Sequence, residues 1–231
     1  MTERRIRLPL AAAALTALAC AAVLAWGAAE PQSSPRATAA AKLKVKKKLI
    51  PYGAARRNQM AAYSNRHYGE REWRLTAPRL IVIHYAEAGT IDSIFNTFAA
   101  NRPDVEYHEL PGVCSHFAVS AKGIAFKFVP ATIRCRHVVG LNHVAIGIEH
   151  VGFSDRDVLK RKRELKGSLR LTKSLRCRFG IPVKGVIGHA ESLGNPHYRE
   201  LDPDFQGRTH GDFKRRSMRV YRRKLARLGD C

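Results

Sequence analysis

The sequence predicts a single α/β domain with a mixed central β-sheet flanked by helices. Short apolar runs of strand length alternate with longer segments of helical period, so strands and helices interleave. Two of the runs, Cys114 to Ser120 and Ile124 to Val129, are separated only by Ala121-Lys122-Gly123, a hairpin turn that puts one antiparallel pair into the sheet. With 231 residues and 45% hydrophobic content, the chain can bury one core of ordinary size.

Taken in order, the chain opens with Arg4, Arg5 and Arg7 ahead of an apolar run from Leu8 to Ala29. A basic start followed by an apolar stretch is the pattern of an export signal, with Gly27, Ala28 and Ala29 as the small residues before a cut. The run is also long enough for an uncleaved membrane anchor. Residues 1–29 are therefore a signal peptide or N-terminal anchor. Residues 30–49 are rich in Pro, Ser and Ala, then in Lys, and read as a flexible linker. The folded domain is expected over 50–231.

Within it, Arg79 to Tyr85 is apolar on both faces and fits a central, doubly covered strand. Thr90 can cap a helix that places Ile91, Ile94, Phe95 and Phe98 on one face. The hairpin follows, and then a strand from Val144 to Val151. Ser154 or Asp155 can cap a long helix with Val158, Leu165, Leu169, Leu175 and Phe179 at helical spacing, stopped by Gly180 and Pro182. A further strand runs from Val183 to His189. The last helix, Lys214 to Leu228, turns Met218, Tyr221, Leu225 and Leu228 inward.

Lys and Arg number 41 against 19 Asp and Glu, a net charge of +22. Such a surplus implies an anionic partner. An exported protein rarely meets DNA, so a wall or membrane surface is favoured over nucleic acid. The basic side of the helix from Arg156 to Arg178 is a solvated face or a contact surface for wall phosphates or carboxylates. Downstream of the export segment, Cys114, Cys135, Cys177 and Cys231 allow three full disulfide pairings in an oxidising compartment, or free thiols.

The chemistry concentrates in histidines at strand ends. His84 closes Leu80-Ile81-Val82-Ile83, His189 closes Val186-Ile187-Gly188, and His210 lies in a late polar loop. Glu149 ends Ala145-Ile146-Gly147-Ile148, and strand alternation sets it on one face with Gly147 and Ala145, beside an open groove floor. Neutral imidazoles and a carboxylate are the inventory of a zinc hydrolase, although no short HExxH signature is present. His67, His143 and His150 read as packing or loop residues, and His116 as packing or groove lining.

Four segments in order, Ile81-Val82-Ile83-His84-Tyr85, Cys114-Ser115-His116-Phe117-Ala118-Val119, Leu141-Asn142-His143-Val144-Ala145-Ile146-Gly147-Ile148-Glu149 and Ile187-Gly188-His189-Ala190-Glu191, resemble the type-2 N-acetylmuramoyl-L-alanine amidases. That superfamily includes the phage lysozyme-type amidases and the peptidoglycan recognition proteins. The resemblance implies one zinc ion on His84 and His189, Glu149 as the residue that handles the attacking water, and His137 and Asn142 in the substrate groove. Its members place a Lys two residues before a third ligand. In Arg208-Thr209-His210 this makes His210 the ligand and Arg208 the stabilising cation, with Asp212 and Asp202 (followed by Pro203) as alternates.

The implied reaction is zinc-dependent cleavage of the amide between N-acetylmuramic acid and L-alanine in bacterial peptidoglycan. The implied partners are peptidoglycan and anionic wall polymers, without nucleic acid. The protein is expected to be an exported monomer that meets membrane only through its N-terminal segment. A peptidoglycan-binding module of the same fold that does not cut is the alternative, and a polycation acting on membranes or nucleic acid is a third class.

Overall fold

A computed structural model describes residues 43–231; the expected export segment, its cleavage and most of the expected linker lie outside the described residues. The strands are β1 (Val45–Lys47), β2 (Leu80–Ile83), β3 (Phe117–Val119), β4 (Ala125–Lys127), β5 (Ala145–His150) and β6 (Val186–Gly188). The helices are α1 (Ala54–Tyr68), α2 (Ile91–Ala99), α3 (Asp155–Lys160), α4 (Lys162–Phe179) and α5 (Arg215–Ala226). The strands form one six-stranded sheet in the order β1-β4-β3-β5-β2-β6. Only the β3–β4 hairpin is antiparallel, so the sheet is mixed, as expected.

Strand alternation divides the apolar residues between two faces. Ile81, Ile83, Ile146, Ile148 and Val186 pack with Leu165, Leu169 and Leu175 of α4 and with Met218, Tyr221 and Leu225 of α5. Leu80, Val82, Ala145 and Ile187 point the other way, onto Val138 and Leu141. Further along that second side, Ala118 meets Ile94 and Phe98 of α2. Thr90 caps α2 as expected, its hydroxyl accepting from the Ser93 amide at 3.1 Å.

Four expectations need correction. The sheet begins inside the presumed linker, because Val45–Lys47 pairs with Ala125–Lys127. This is an edge strand whose lysines face solvent, a pattern that hides a strand among charges. Helix α1 was not expected. Its buried positions Arg56, Met60, Tyr63 and His67 keep helical spacing, but two are polar, so the apolar period is weak. Arg56 is buried because its guanidinium donates to the Phe98 and Gly112 carbonyls at 2.7 and 2.9 Å. The long basic helix breaks at Arg161, whose ψ of 91° ends α3 and starts α4, while its guanidinium donates to the Val151 carbonyl at 2.6 Å. Finally, Leu228 lies beyond α5 and is 40% exposed rather than inward.

The four cysteines pair as Cys114–Cys135 and Cys177–Cys231. The second bridge ties the chain end to α4. Among the described residues no helix is long and apolar enough to cross a membrane.

Candidate metal and catalytic site

Sheet register assembles the site. Ile83 stands opposite Ile148 on one neighbouring strand and opposite Gly188 on the other, all three strands parallel. One residue further along each strand brings His84, Glu149 and His189 abreast, on neighbouring strands about 5 Å apart. They sit at the carboxyl ends of the strands, where open α/β sheets place ligands. They line a groove of about 660 Å³ on the sheet face away from α4 and α5.

The third member of the group is Asp212. Its Oδ2 accepts from His84 Nδ1 at 3.0 Å, and its Oδ1 lies 3.1 Å from His189 Nδ1. One donor atom from each of His84, His189 and Asp212 lies within 4.8 Å of the others, and all three residues are buried. Burial alone would raise the Asp212 pKa, but the two imidazoles overcome it and hold the carboxyl well below the usual range. Burial pulls His189 down to about 4. Two neutral-capable imidazoles and one carboxylate form a competent zinc donor set.

Asp212 is brought there by close backbone packing. The Ala190 amide donates to the Asp212 carbonyl at 2.9 Å. A Cβ on Gly188 would fall 1.8 Å from the Phe213 carbonyl oxygen, so only glycine lets the 212–213 segment pass. Phe213 itself adopts a left-handed φ of 53°. The Asp155 carboxylate secures this turn by accepting from the Phe213 and Lys214 amides at 2.6 and 3.0 Å. Gly188→Ala is therefore expected to displace Asp212 and to weaken metal binding by about tenfold or more, a loss of the size seen for groups that orient ligands. Isothermal titration of the apo protein with zinc checks it.

The expected third ligand, His210, is corrected by this geometry. It is exposed, its Nε2 pairs with Glu106 at 2.9 Å, and its ring stacks on His189 with centroids 4.9 Å apart. Asp202 is also out of place: its carboxylate accepts from the Asp204 amide in a local turn. The expected cation Arg208 does not line the groove. Its guanidinium donates to the Asp204 carbonyl at 3.1 Å and lies 5.8 Å over the Tyr107 ring. With Asp212 as the third donor, the position two residues earlier is His210, not Arg208.

Glu149 lies in the groove with the metal-capable group. Burial raises its pKa to about 7, against the pull of His84 and with a push from Asp212. Its Oε2 is buried without a hydrogen-bond partner. This is a carboxyl poised to exchange a proton near neutral pH. His137 also lines the groove, its Nδ1 3.1 Å from His84 Nε2. The open floor expected over Gly147 is filled by that ring, since a Cβ there would lie 2.9 Å from His137 Cγ.

Asn142 lines the groove from a buried position behind His137. It is fully buried, its Oδ1 accepts from the His137 and Val138 amides at 2.8 and 2.9 Å, and its Nδ2 donates to the Tyr63 and Tyr68 hydroxyls. Its side chain thus ties the loop that carries His137 to the tyrosines of α1. His150 faces the core as expected, where its Nδ1 donates to the His84 carbonyl at 2.7 Å. His67 packs on Tyr63 and bridges Glu200 and Glu109.

Sequence reasoning missed the groove wall formed by Asp104, Glu106 and Tyr107, and it missed Arg136, which is locked onto Asp104 and the Glu109 and Pro111 carbonyls. Loop residues without a period carry no signal that could place them there. The signal available for Asp155 and Gly188 was their position: one is the first residue of a helix, and the other immediately precedes a candidate ligand.

Comparison with known proteins follows the same lines. The family model described as N-acetylmuramoyl-L-alanine amidase matches residues 74–205, more than half of the chain. Among solved structures, that of PlyL is 13% identical with a TM-score of 0.50, covering 79% of this chain and 97% of that one. The N-acetylmuramoyl-L-alanine amidase LysC from Clostridium intestinale URNW is 17% identical with a TM-score of 0.42, covering 64% and 85%. PGRP-SA from Apis mellifera is 14% identical with a TM-score of 0.42, covering 63% and 83%. At 13% identity the likeness to PlyL is one of fold. No curated protein sequence matches the chain.

Proposed function

Because this chain belongs to the N-acetylmuramoyl-L-alanine amidase family, we propose that it hydrolyses the amide between the lactyl group of N-acetylmuramic acid and L-alanine, with one zinc ion on His84, His189 and Asp212. The observation that carries this reading is the buried His-His-Asp group opening into the same groove as Glu149, a carboxyl whose pKa is raised to about 7. The fit to zinc rests on the donor set and on both Asp212 oxygens facing imidazole nitrogens. When bound, zinc supplies a Lewis acid that polarises a carbonyl and lowers the pKa of water to about 7.

The chain's own residues do the rest. Glu149 takes a proton from the attacking water at its unpartnered Oε2 and returns it to the departing L-alanine nitrogen. The groove walls hold the glycan and stem peptide, and Asn142 fixes the loop that sets His137 against His84. The polar position two residues before Asp212 belongs to His210, which displaces Arg208 from the role of stabilising cation. We place the protein in the envelope on the strength of its export-like N-terminus, with the residues up to about 42 delivering the domain to the wall.

A non-catalytic binding module is the other reading in this family. A full donor set beside a perturbed carboxyl favours hydrolysis over it, since binding alone requires neither. The test is release of L-alanine amino termini from a muramyl peptide by the purified chain. Activity is expected to vanish with a chelator and to return with zinc. Binding of the muramyl peptide without release under zinc would assign the chain to the non-catalytic class.

A further inference from the structure

We propose that the outward face of α4 and α5 is a second binding surface, separate from the groove, for a linear phosphodiester polymer that carries no bases, such as a polyol phosphate chain. Helix α5 holds five arginines and one lysine and no acidic residue. Arg215, Arg219, Arg223 and, just past its end, Arg227 recur every fourth residue and are all exposed. They form a stripe with charges about 6 Å apart along the helix axis. Among the described residues none of the four forms an ion pair.

Their spacing works against the helix that carries them, although Arg223 in the last turn also meets the favourable end of the dipole. Like charges four residues apart destabilise a helix. Arg215 and Arg216 also stand in the first turn, at the positive end of the helix dipole, where α5 supplies no acidic residue of its own and the Asp155 carboxylate is held by the Phe213 and Lys214 amides. A row of like charges that repel one another along the helix, with no ion pair among the described residues, points outward, to a partner. The neighbouring helix α4 adds exposed Lys162 and Lys166. The two helices are held side by side by the Tyr221 hydroxyl, which bonds Ser168 and Thr172 at 2.6 and 2.8 Å, and by the Cys177–Cys231 bridge.

The location separates this surface from the substrate groove. Both helices cover the sheet face built from Ile81, Ile83 and Ile148, whereas His84, Glu149 and His189 open on the opposite side. A polymer on the helices leaves the groove free.

The chemistry of the face selects its occupant. A helix lying in a membrane surface needs an apolar face, but Met218, Tyr221 and Leu225 are buried in the core. Single-stranded nucleic acid needs exposed aromatic rings for base stacking. The aromatic residues of these helices are unavailable for it, because Tyr221 is buried and Phe179 packs on the core. What remains is an array of guanidinium groups suited to bidentate contact with successive phosphates.

The test is a fluorescence titration of the full chain with poly(glycerol phosphate) between 50 and 200 mM NaCl. Arg215→Gln, Arg219→Gln, Arg223→Gln and Arg227→Gln combined should weaken binding at least about tenfold and flatten the log–log salt slope by about 3, four contacts at about 0.7 each. The same four positions changed to Lys should keep most of the slope. Lys162→Gln with Lys166→Gln should give a smaller loss of the same kind. Hydrolysis of a soluble muramyl peptide should be equal in all of these variants. Unchanged affinity in the fourfold Gln variant would overturn the proposal. So would tighter binding of phosphatidylglycerol vesicles or of a single-stranded oligonucleotide than of poly(glycerol phosphate).

Discussion

Glu149→Gln is expected to lower kcat on a muramyl peptide by about 10²- to 10⁴-fold, the range for loss of a positioned proton carrier, with zinc content unchanged. Gln keeps the shape of the side chain but cannot accept the water's proton. The same variant carries a second, independent signature in stability. Burial lifts the Glu149 pKa from 4.5 to about 7 in the folded chain. A group raised in this way leaves stability intact below about pH 4.5 and removes it as pH rises through about 7, where the folded state must bury a charge. At about 1.4 kcal/mol per pH unit, the penalty above pH 8 is about 3 kcal/mol in the metal-free protein. Chelator-treated Glu149→Gln should therefore melt higher than the parent at pH 8 and converge with it near pH 4. A variant that retains turnover removes Glu149 from the chemistry. A variant that melts no higher at pH 8 contradicts the buried, unpartnered carboxylate.

Asp212→Ala and His210→Ala form the second decisive pair. Removing Asp212 deletes one of three donors and strips both facing imidazole Nδ1 atoms of their partner. Zinc affinity is expected to fall by more than about 100-fold, beyond the loss seen for residues that merely orient ligands. His210→Ala should leave zinc content at the parent level, because that ring is exposed and paired with Glu106 on the groove wall. Metal analysis after dialysis distinguishes the two. Retention of zinc by Asp212→Ala together with its loss in His210→Ala would restore the assignment suggested by the residue order.

The contrast between these two residues shows what could be read from the chain. His84 and His189 were legible because each ends an apolar run, and a strand end is a fixed place in an α/β sheet. Glu149 was legible through strand alternation and its small neighbours. Their common level was not, since it depends on the register of Ile83 with Ile148 and Gly188, which no local pattern states. The third donor comes from a loop, where spacing carries no geometry. Asp212 reaches the site only because Gly188 admits the Phe213 backbone and Asp155 holds the turn. Asn142 was legible as a groove residue, but not its bonds to the His137 and Val138 amides, because a sequence does not state which groups an amide meets. Helix α1 escaped notice for a related reason: Arg56 and His67 are buried polar residues, satisfied by partners 42 or more residues away.

The central claim is that His84, His189 and Asp212 together grip one zinc ion beside Glu149. Anomalous scattering at the zinc edge from crystals of the zinc-loaded chain tests it most directly. A single strong peak is expected, contacted by the two Nδ1 atoms that face Asp212 and by the Asp212 carboxylate. A zinc-loaded crystal with no peak in that group, or with its peak at another cluster such as His67 and Glu200, would contradict it.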